Sequence, residues 1–335
     1  MPNIITHVLF ARELEDEKLN DDLKKRIEAR QQLYEIGANG ADYLFFHGVN
    51  PKRILEKSTL RVLGQYVHRR GINDFYTEAL DVIRHEKESD VKEDEIVYIM
   101  GHLTHWALDS TSHPYIFWRT GSGSSDASIR HHKFESILDA VMLKVKKEQT
   151  IKDFKAYKIC EISIDDVRSI SRLYTHIAKA VYGVEIKPHQ VLEALNDWYR
   201  CQKALYDATG KKKKAFLKVE NAIHTPGLVS AMFVPKDPTD PVDVCNLKHR
   251  EWCHPCDDEK TSTESFFDLY DRAMKEAQQA ITLFIAAVDD PSKEQEFIDF
   301  LDNRNYTKGL SDNPPMKYFD DDLKQTGEML IQEQK

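Results

Sequence analysis

The stretch Gly101–Tyr115, GHLTHWALDSTSHPY, constrains this chain more than any other. His102, His105, Asp109 and His113 stand three and four positions apart, and residues at those intervals share one face of an α-helix. A second pair, His131 and Glu135, repeats the four-residue interval. Imidazole nitrogens and carboxylate oxygens are the usual donors to zinc and similar divalent ions. Two helical His/carboxylate pairs therefore make a metal-binding ligand set.

A lone helical histidine is more often structural or exposed than a ligand. Here the clustering decides, because five of the 14 histidines fall between His102 and His132. Asp109 lies one turn after His105 and one turn before His113, which places it to bridge two ions. His102 sits about 60° behind His105 on the helix wheel and reads as support or packing. His132 points away from the His131/Glu135 face, and His47 and His85 lack partners in sequence.

Charged residues make up 31% and hydrophobic residues 41%, as in soluble globular proteins. No run approaches the roughly 18 apolar residues of a membrane span. In Met1–Asp16 the apolar residues are broken by His7 and followed at once by Arg12, Glu13 and Glu15, unlike a signal peptide. The expected location is cytoplasmic. The net charge of −9 argues against a broad nucleic-acid-binding surface. It leaves room for a small phosphate ester at metal ions, which carry local positive charge. Lys211–Lys214, the main basic cluster, reads as a solvated loop or helix face rather than a lipid-binding segment. The five cysteines read as free thiols. Cys253-His254-Pro255-Cys256 lies near His249 and Cys245 but has no second C-x-x-C, so it reads as loop thiols rather than a structural zinc site.

Helical periodicity dominates and strand signals are scarce, so the expected fold class is all-α. Helices are expected over Ile5–Leu14, Asn20–Ile36 (closed by Gly37), 58–69, 72–87, Glu93–Ser112 (ended by Pro114), Ser128–Glu148, Ile164–Tyr182 and Gln190–Asp207. A last long helix, Ser262–Val288, has a candidate capping box in Thr261 and Glu264. Pro226–Asp258 carries five prolines and three cysteines and reads as a long irregular excursion. With the Gly/Ser-rich loop Thr120–Ser125 it is a candidate cover for a cleft. One multi-helical domain is expected over 1–303, followed by a weakly packed polar tail over 304–335.

Several ordered blocks resemble the zinc-dependent phospholipase C family, which is grouped with zinc-dependent single-strand nucleases. They are THVLFAREL at 6–14, GANGADYLFFH at 37–47, YVHRRGINDFY at 66–76, GHLTHWALDSTSHPYI at 101–116 and HHKFE at 131–135. The resemblance is closest to bacterial cytoplasmic members, and NLKHREW at 246–252 and STESF at 262–266 match more loosely. It implies an all-helical fold around two or three Zn2+ ions, with another divalent transition metal as the substitute. Asp42, His68, His105 and Asp109 match the ligands of a first zinc. His113, His131 and Glu135 match those of a second, and His7 with Asp109 part of a third. In secreted relatives a processed N-terminal residue completes the third site, and here Pro2 stands only five residues before His7. Asp42 also matches the proposed general base, and Tyr43 a headgroup-contacting aromatic. The resemblance implies a phospholipase C-like phosphodiesterase acting on a small phosphate ester or phospholipid headgroup. A nuclease or nucleotidase on the same site, or a non-catalytic metal-binding scaffold, is the alternative.

Overall fold

The computed structural model describes residues 4–49, 56–240 and 242–322. Met1 and Pro2, on which completion of a third site was expected to depend, lie outside the described residues, as does 323–335 of the tail.

The described residues form an all-α fold with one small hairpin. Three helices come first, α1 (Ile4–Lys18), α2 (Asp21–Glu28) and α3 (Gln31–Gly37), and a short 3-10 helix, Asp42–Phe46, follows. The expected single helix over Asn20–Ile36 is two helices. Asn20 caps α2 by accepting from the Leu23 N–H, and Arg30, at φ −141°, leaves helical geometry before α3. The break lets α2 lie near the surface while α3 buries Leu33, Tyr34 and Ile36. Next come α4 (Thr59–Arg69), α5 (Ile72–His85), α6 (Ser89–Thr120), α7 (Ser125–Lys147), α8 (Ile164–Tyr182), α9 (Pro188–Leu205) and α10 (Lys211–Ala222). The strands β1 (Trp252–His254) and β2 (Asp257–Ser262) pair antiparallel, and α11 (Phe266–Asp289) and α12 (Glu294–Leu301) close the order.

The central element is α6. It packs against α1, α3, α5, α7, α8 and α11, and every residue from Glu95 to Ile116 is buried. A helix surrounded on all sides needs no amphipathic stripe. The helix does not stop at Pro114 as expected but runs six residues further, to Thr120. Proline in a helix interior removes one N–H and crowds the carbonyl four residues back, here that of Ser110. Burial on both sides of Pro114 outweighs that local loss. His113 therefore projects from a continuous helix.

The start of α11 also differs from expectation. Its capping box is Ser265 with Asp268, not Thr261 with Glu264, because Asp257–Ser262 is committed to β2. The excursion over 226–258 is irregular for most of its length, yet it is pinned. Glu220 of α10 accepts from the backbone N–H groups of Gly227, Val229 and Ser230. Ser136 of α7 donates to the Ala231 carbonyl at 2.8 Å. Arg119, at the end of α6, donates to the carbonyls of Val242 and Asp243. These bonds pin its described parts to α10, α7 and the end of α6.

The described part of the tail, residues 304–322, packs more firmly than expected. Asn305, Tyr306 and Asp320 are buried. Asp320 is gripped by Arg250 through both carboxylate oxygens and lies 3.2 Å from Arg119. Among the described residues no helix is long and apolar enough to cross a membrane.

Candidate metal centre

Eight side chains from five elements converge in the middle of the helical layers. The first turns of α1 bring His7, the 3-10 helix after α3 brings Asp42, and α4 brings His68. From α6 come His105, Asp109 and His113, and from α7 His131 and Glu135. All eight are buried. Their donor atoms form three groups, each with its ligand atoms within 4.8 Å of one another: Asp42–His68–His105, His7–His105–Asp109 and His113–His131–Glu135. His105 belongs to two groups. Asp109 stands between this pair of groups and the third, its Oδ2 3.3 Å from His105 Nε2 and 3.4 Å from His113 Nδ1. Helical spacing explains this row, because residues four apart stack on one side of α6.

Asp42 approaches His68 Nε2 at 3.0 Å and His105 Nε2 at 3.8 Å. The close approach of its loop to α6 needs a glycine. Gly40 has φ +52°, and a Cβ there would stand 2.1 Å from the His105 ring. His7 Nε2 lies 3.2 Å from Asp109, and His131 Nε2 lies 3.0 Å from Glu135.

The polar atoms fit a cation. Both Asp42 oxygens, Asp109 Oδ2 and Glu135 Oε2 are buried without a hydrogen-bond partner. Ring nitrogens also face one another, His105 Nε2 to His68 Nε2 at 3.5 Å and His105 Nδ1 to His7 Nδ1 at 3.3 Å. Lone pairs from buried carboxylates and imidazoles converging on shared points are costly to leave uncompensated, and a divalent ion compensates them.

The second nitrogens of two ligand rings are held elsewhere, which leaves the first aimed inward. His68 Nδ1 donates to the Gly64 carbonyl at 2.7 Å, and His113 Nδ1 donates to the Tyr306 carbonyl at 2.8 Å. Burial opposes charge on His113, but Asp109 and Glu135 outweigh it and lift its pKa to about 9. For His105 burial prevails and holds the pKa well below its ordinary value. Burial raises Asp42, opposed by its contact with His68. Asp109 is held low despite burial by His105, His113 and His7.

His102 is not one of the grouped ligands. It is fully buried, with its pKa pushed down to about 3 by burial. Its Nδ1 meets Tyr76 Oη at 2.9 Å and Tyr306 Oη at 3.2 Å, and its Nε2 meets Tyr174 Oη at 3.2 Å. This chain of side chains ties α5, α6, α8 and the tail together behind the ligands. Tyr43 is also turned inward. It is 1% exposed and packs edge-on against Tyr174.

Two supporting residues escaped the sequence reading. Asp139 continues the four-residue row from His131 and Glu135, and that spacing was a usable signal. Its carboxylate accepts from Ile5 N, Thr6 N and Thr6 Oγ1 at 2.6–3.1 Å, fixing the first turn of α1 beside His7. Burial lifts its pKa to about 7 against the pull of those donors. Tyr306 carried no signal, for it stands 193 positions from the His113 ring it accepts from. Its N–H donates to the His68 carbonyl at 3.1 Å, and its ring lies 5.1 Å from His68 and 5.5 Å from His105. The CHPC segment makes no such group, and the His254 ring is bonded to the Cys256 N–H and the Lys308 carbonyl.

A family model described as zinc dependent phospholipase C matches residues 6–184, just over half of the chain. The chain belongs to that family. No curated protein and no solved structure matches it. The matched span holds all eight converging residues, while Tyr306 and the excursion lie beyond it. The family and the buried His/carboxylate groups together support zinc binding.

Proposed function

We propose that the chain is a phospholipase C-like phosphodiesterase, hydrolysing a small phosphate ester or phospholipid headgroup at a multinuclear zinc site. The observation that supports this reading is the row of three ligand groups, two of which share His105, with Asp109 standing between His105 and His113. Asp42, His68, His105 and Asp109 would hold one ion and His113, His131 and Glu135 a second, with His7 and Asp109 contributing to a third. Zinc held there supplies positive charge that polarises a phosphoryl oxygen and makes a nearby water easier to deprotonate.

The protein's own groups divide the remaining work. Asp42, with both oxygens free of donors and its proton affinity raised by burial, accepts the proton of the attacking water. Asp109 ties the groups together and fixes their separation. Tyr306, through its carbonyl, holds His113 in one ring orientation. The cleft bordered by His7, Asp109, His113 and Glu135 is also lined by Leu108, Ile116 and Phe266, apolar side chains that would limit water at the site.

The test is elemental analysis of the purified protein, followed by assay on chromogenic phosphodiesters and phosphomonoesters with and without chelator. Chelator-sensitive diester cleavage that is lost in Asp42→Asn, with zinc content retained, supports the proposal. Bound zinc without turnover of any ester identifies a scaffold instead. Preference for nucleotides or single-stranded nucleic acid identifies a nuclease.

A further inference from the structure

The basic run Lys211–Lys214 belongs to α10, outside both the family match and the metal centre. Only Leu217 and Glu220 of this helix are buried, and they mark the side facing the protein. Three positions spaced i, i+3 and i+7 form an apolar stripe in solvent: Phe216 is 42% exposed, Val219 61% and Ile223 59%. Leu228, just beyond the helix, is 55% exposed. Lys211, Lys214 and Lys218 repeat the same spacing as a second exposed stripe. At 100° per residue the two stripes flank the outermost line of the helix, which carries the small residues Ala215 and Ala222. Lys212 is used differently, its amine capping α9 at the Ala204 and Tyr206 carbonyls.

Exposed aromatic and aliphatic residues beside a lysine row on a helix that lies flat on the protein are the features of an interfacial segment. In a chain of net charge −9 an anionic surface repels the molecule as a whole. A local row of lysines beside apolar side chains offsets that repulsion at one face and orients the approach. The helix is firmly mounted, since Glu220 holds Gly227, Val229 and Ser230, and the next residue, Ala231, is bonded to Ser136 on the metal-bearing α7.

We infer that α10 docks the protein on a lipid surface bearing anionic headgroups, with Phe216, Val219 and Ile223 entering the headgroup layer and Lys211, Lys214 and Lys218 pairing with phosphates. This holds whatever ester the metal centre hydrolyses. The full-length protein is sedimented with vesicles of phosphatidylcholine alone and of phosphatidylcholine with phosphatidylserine. Binding is expected only to the second and weakens with salt. The triple change Lys211→Gln, Lys214→Gln, Lys218→Gln lowers the partition coefficient roughly tenfold or more, as does Val219→Ser with Ile223→Ser. All five positions are exposed, so circular dichroism and zinc content stay unchanged. Vesicle binding needs no turnover, so its outcome is separate from that of the esterase assay. Absence of phosphatidylserine-dependent binding, or binding that both variants retain, overturns the inference. Self-association or a stable protein complex through this face overturns it as well.

Discussion

Two of the ligand groups, Asp42–His68–His105 as the first and His113–His131–Glu135 as the second, are built differently. Asp42–His68–His105 draws on three elements separated by long stretches of chain, and part of its support is close, although Tyr306 also reaches the His68 carbonyl from the tail. His68 is steadied by Gly64 one turn away, and His102 on the same helix as His105 anchors the tyrosines behind it. His113–His131–Glu135 comes from two consecutive helices joined by a short loop, yet its support arrives from Tyr306 near the other end of the chain. Local ligands with a distant brace form a site that is visible in sequence and dependent on the completed fold. Distant ligands are hidden in sequence, and they lean on the same tail residue as well as on local braces.

The largest effect is expected from the residue that stands between the two groups. Asp109→Ala removes the carboxylate between His105 and His113, and both zinc content and ester turnover should collapse, the latter by roughly 10³-fold. Retention of full zinc content would mean that the groups fill independently of Asp109. His131→Ala touches only the second group, so zinc per chain should fall less than in Asp109→Ala. Equal losses in the two variants would break the comparison and show a single cooperative site.

Asn305→Ala tests the distant brace. Its side chain bonds the Leu310 and Asp312 carbonyls and accepts from the Thr307 and Lys308 N–H groups, which sets the loop that presents Tyr306. Zinc affinity of the second group should drop about 10–100-fold, with the first group less affected, as read by competition with a chromogenic chelator. The smallest effect concerns α6 itself. Burial raises the Glu95 carboxyl from 4.5 to about 7, against its pairing with Arg172. The uncharged form therefore favours the fold, and its contribution is complete below pH 4.5 and is lost as pH climbs through 7. Glu95→Gln should flatten that decline by on the order of 1 kcal/mol in denaturant titrations, after allowance for the partial exposure of Arg172. An unchanged pH profile in this variant would assign the slope elsewhere.

The sequence showed the second group and the α6 row directly, because His105, Asp109, His113, His131 and Glu135 obey helical spacing. It showed the first group only through the family resemblance, since Asp42 in a glycine-rich turn and His68 on a surface-patterned helix have no local signature. Most helices were legible from periodicity. The errors fell where packing overrides local rules: Pro114 inside a buried helix, Arg30 splitting α2 from α3, and β2 displacing the expected start of α11. The tail read as loose because its residues are polar, but Asn305 and Asp320 turn that polarity inward onto backbone groups and arginines.

Pro114 leaves the Ser110 carbonyl without its helical donor, and the tail settles at that notch. Gly309, at φ +61°, lies so close that a Cβ would stand 2.2 Å from the Ser110 oxygen. The same loop carries the Tyr306 carbonyl that orients His113. The loop after the last helix must therefore be in place before the wall built from the middle of the chain is finished, so zinc retention at the second group is expected to depend on it. Ribosome-bound chains stalled before residue 306 should retain less zinc at the second group than chains stalled well after residue 322, and equal retention would uncouple the two events.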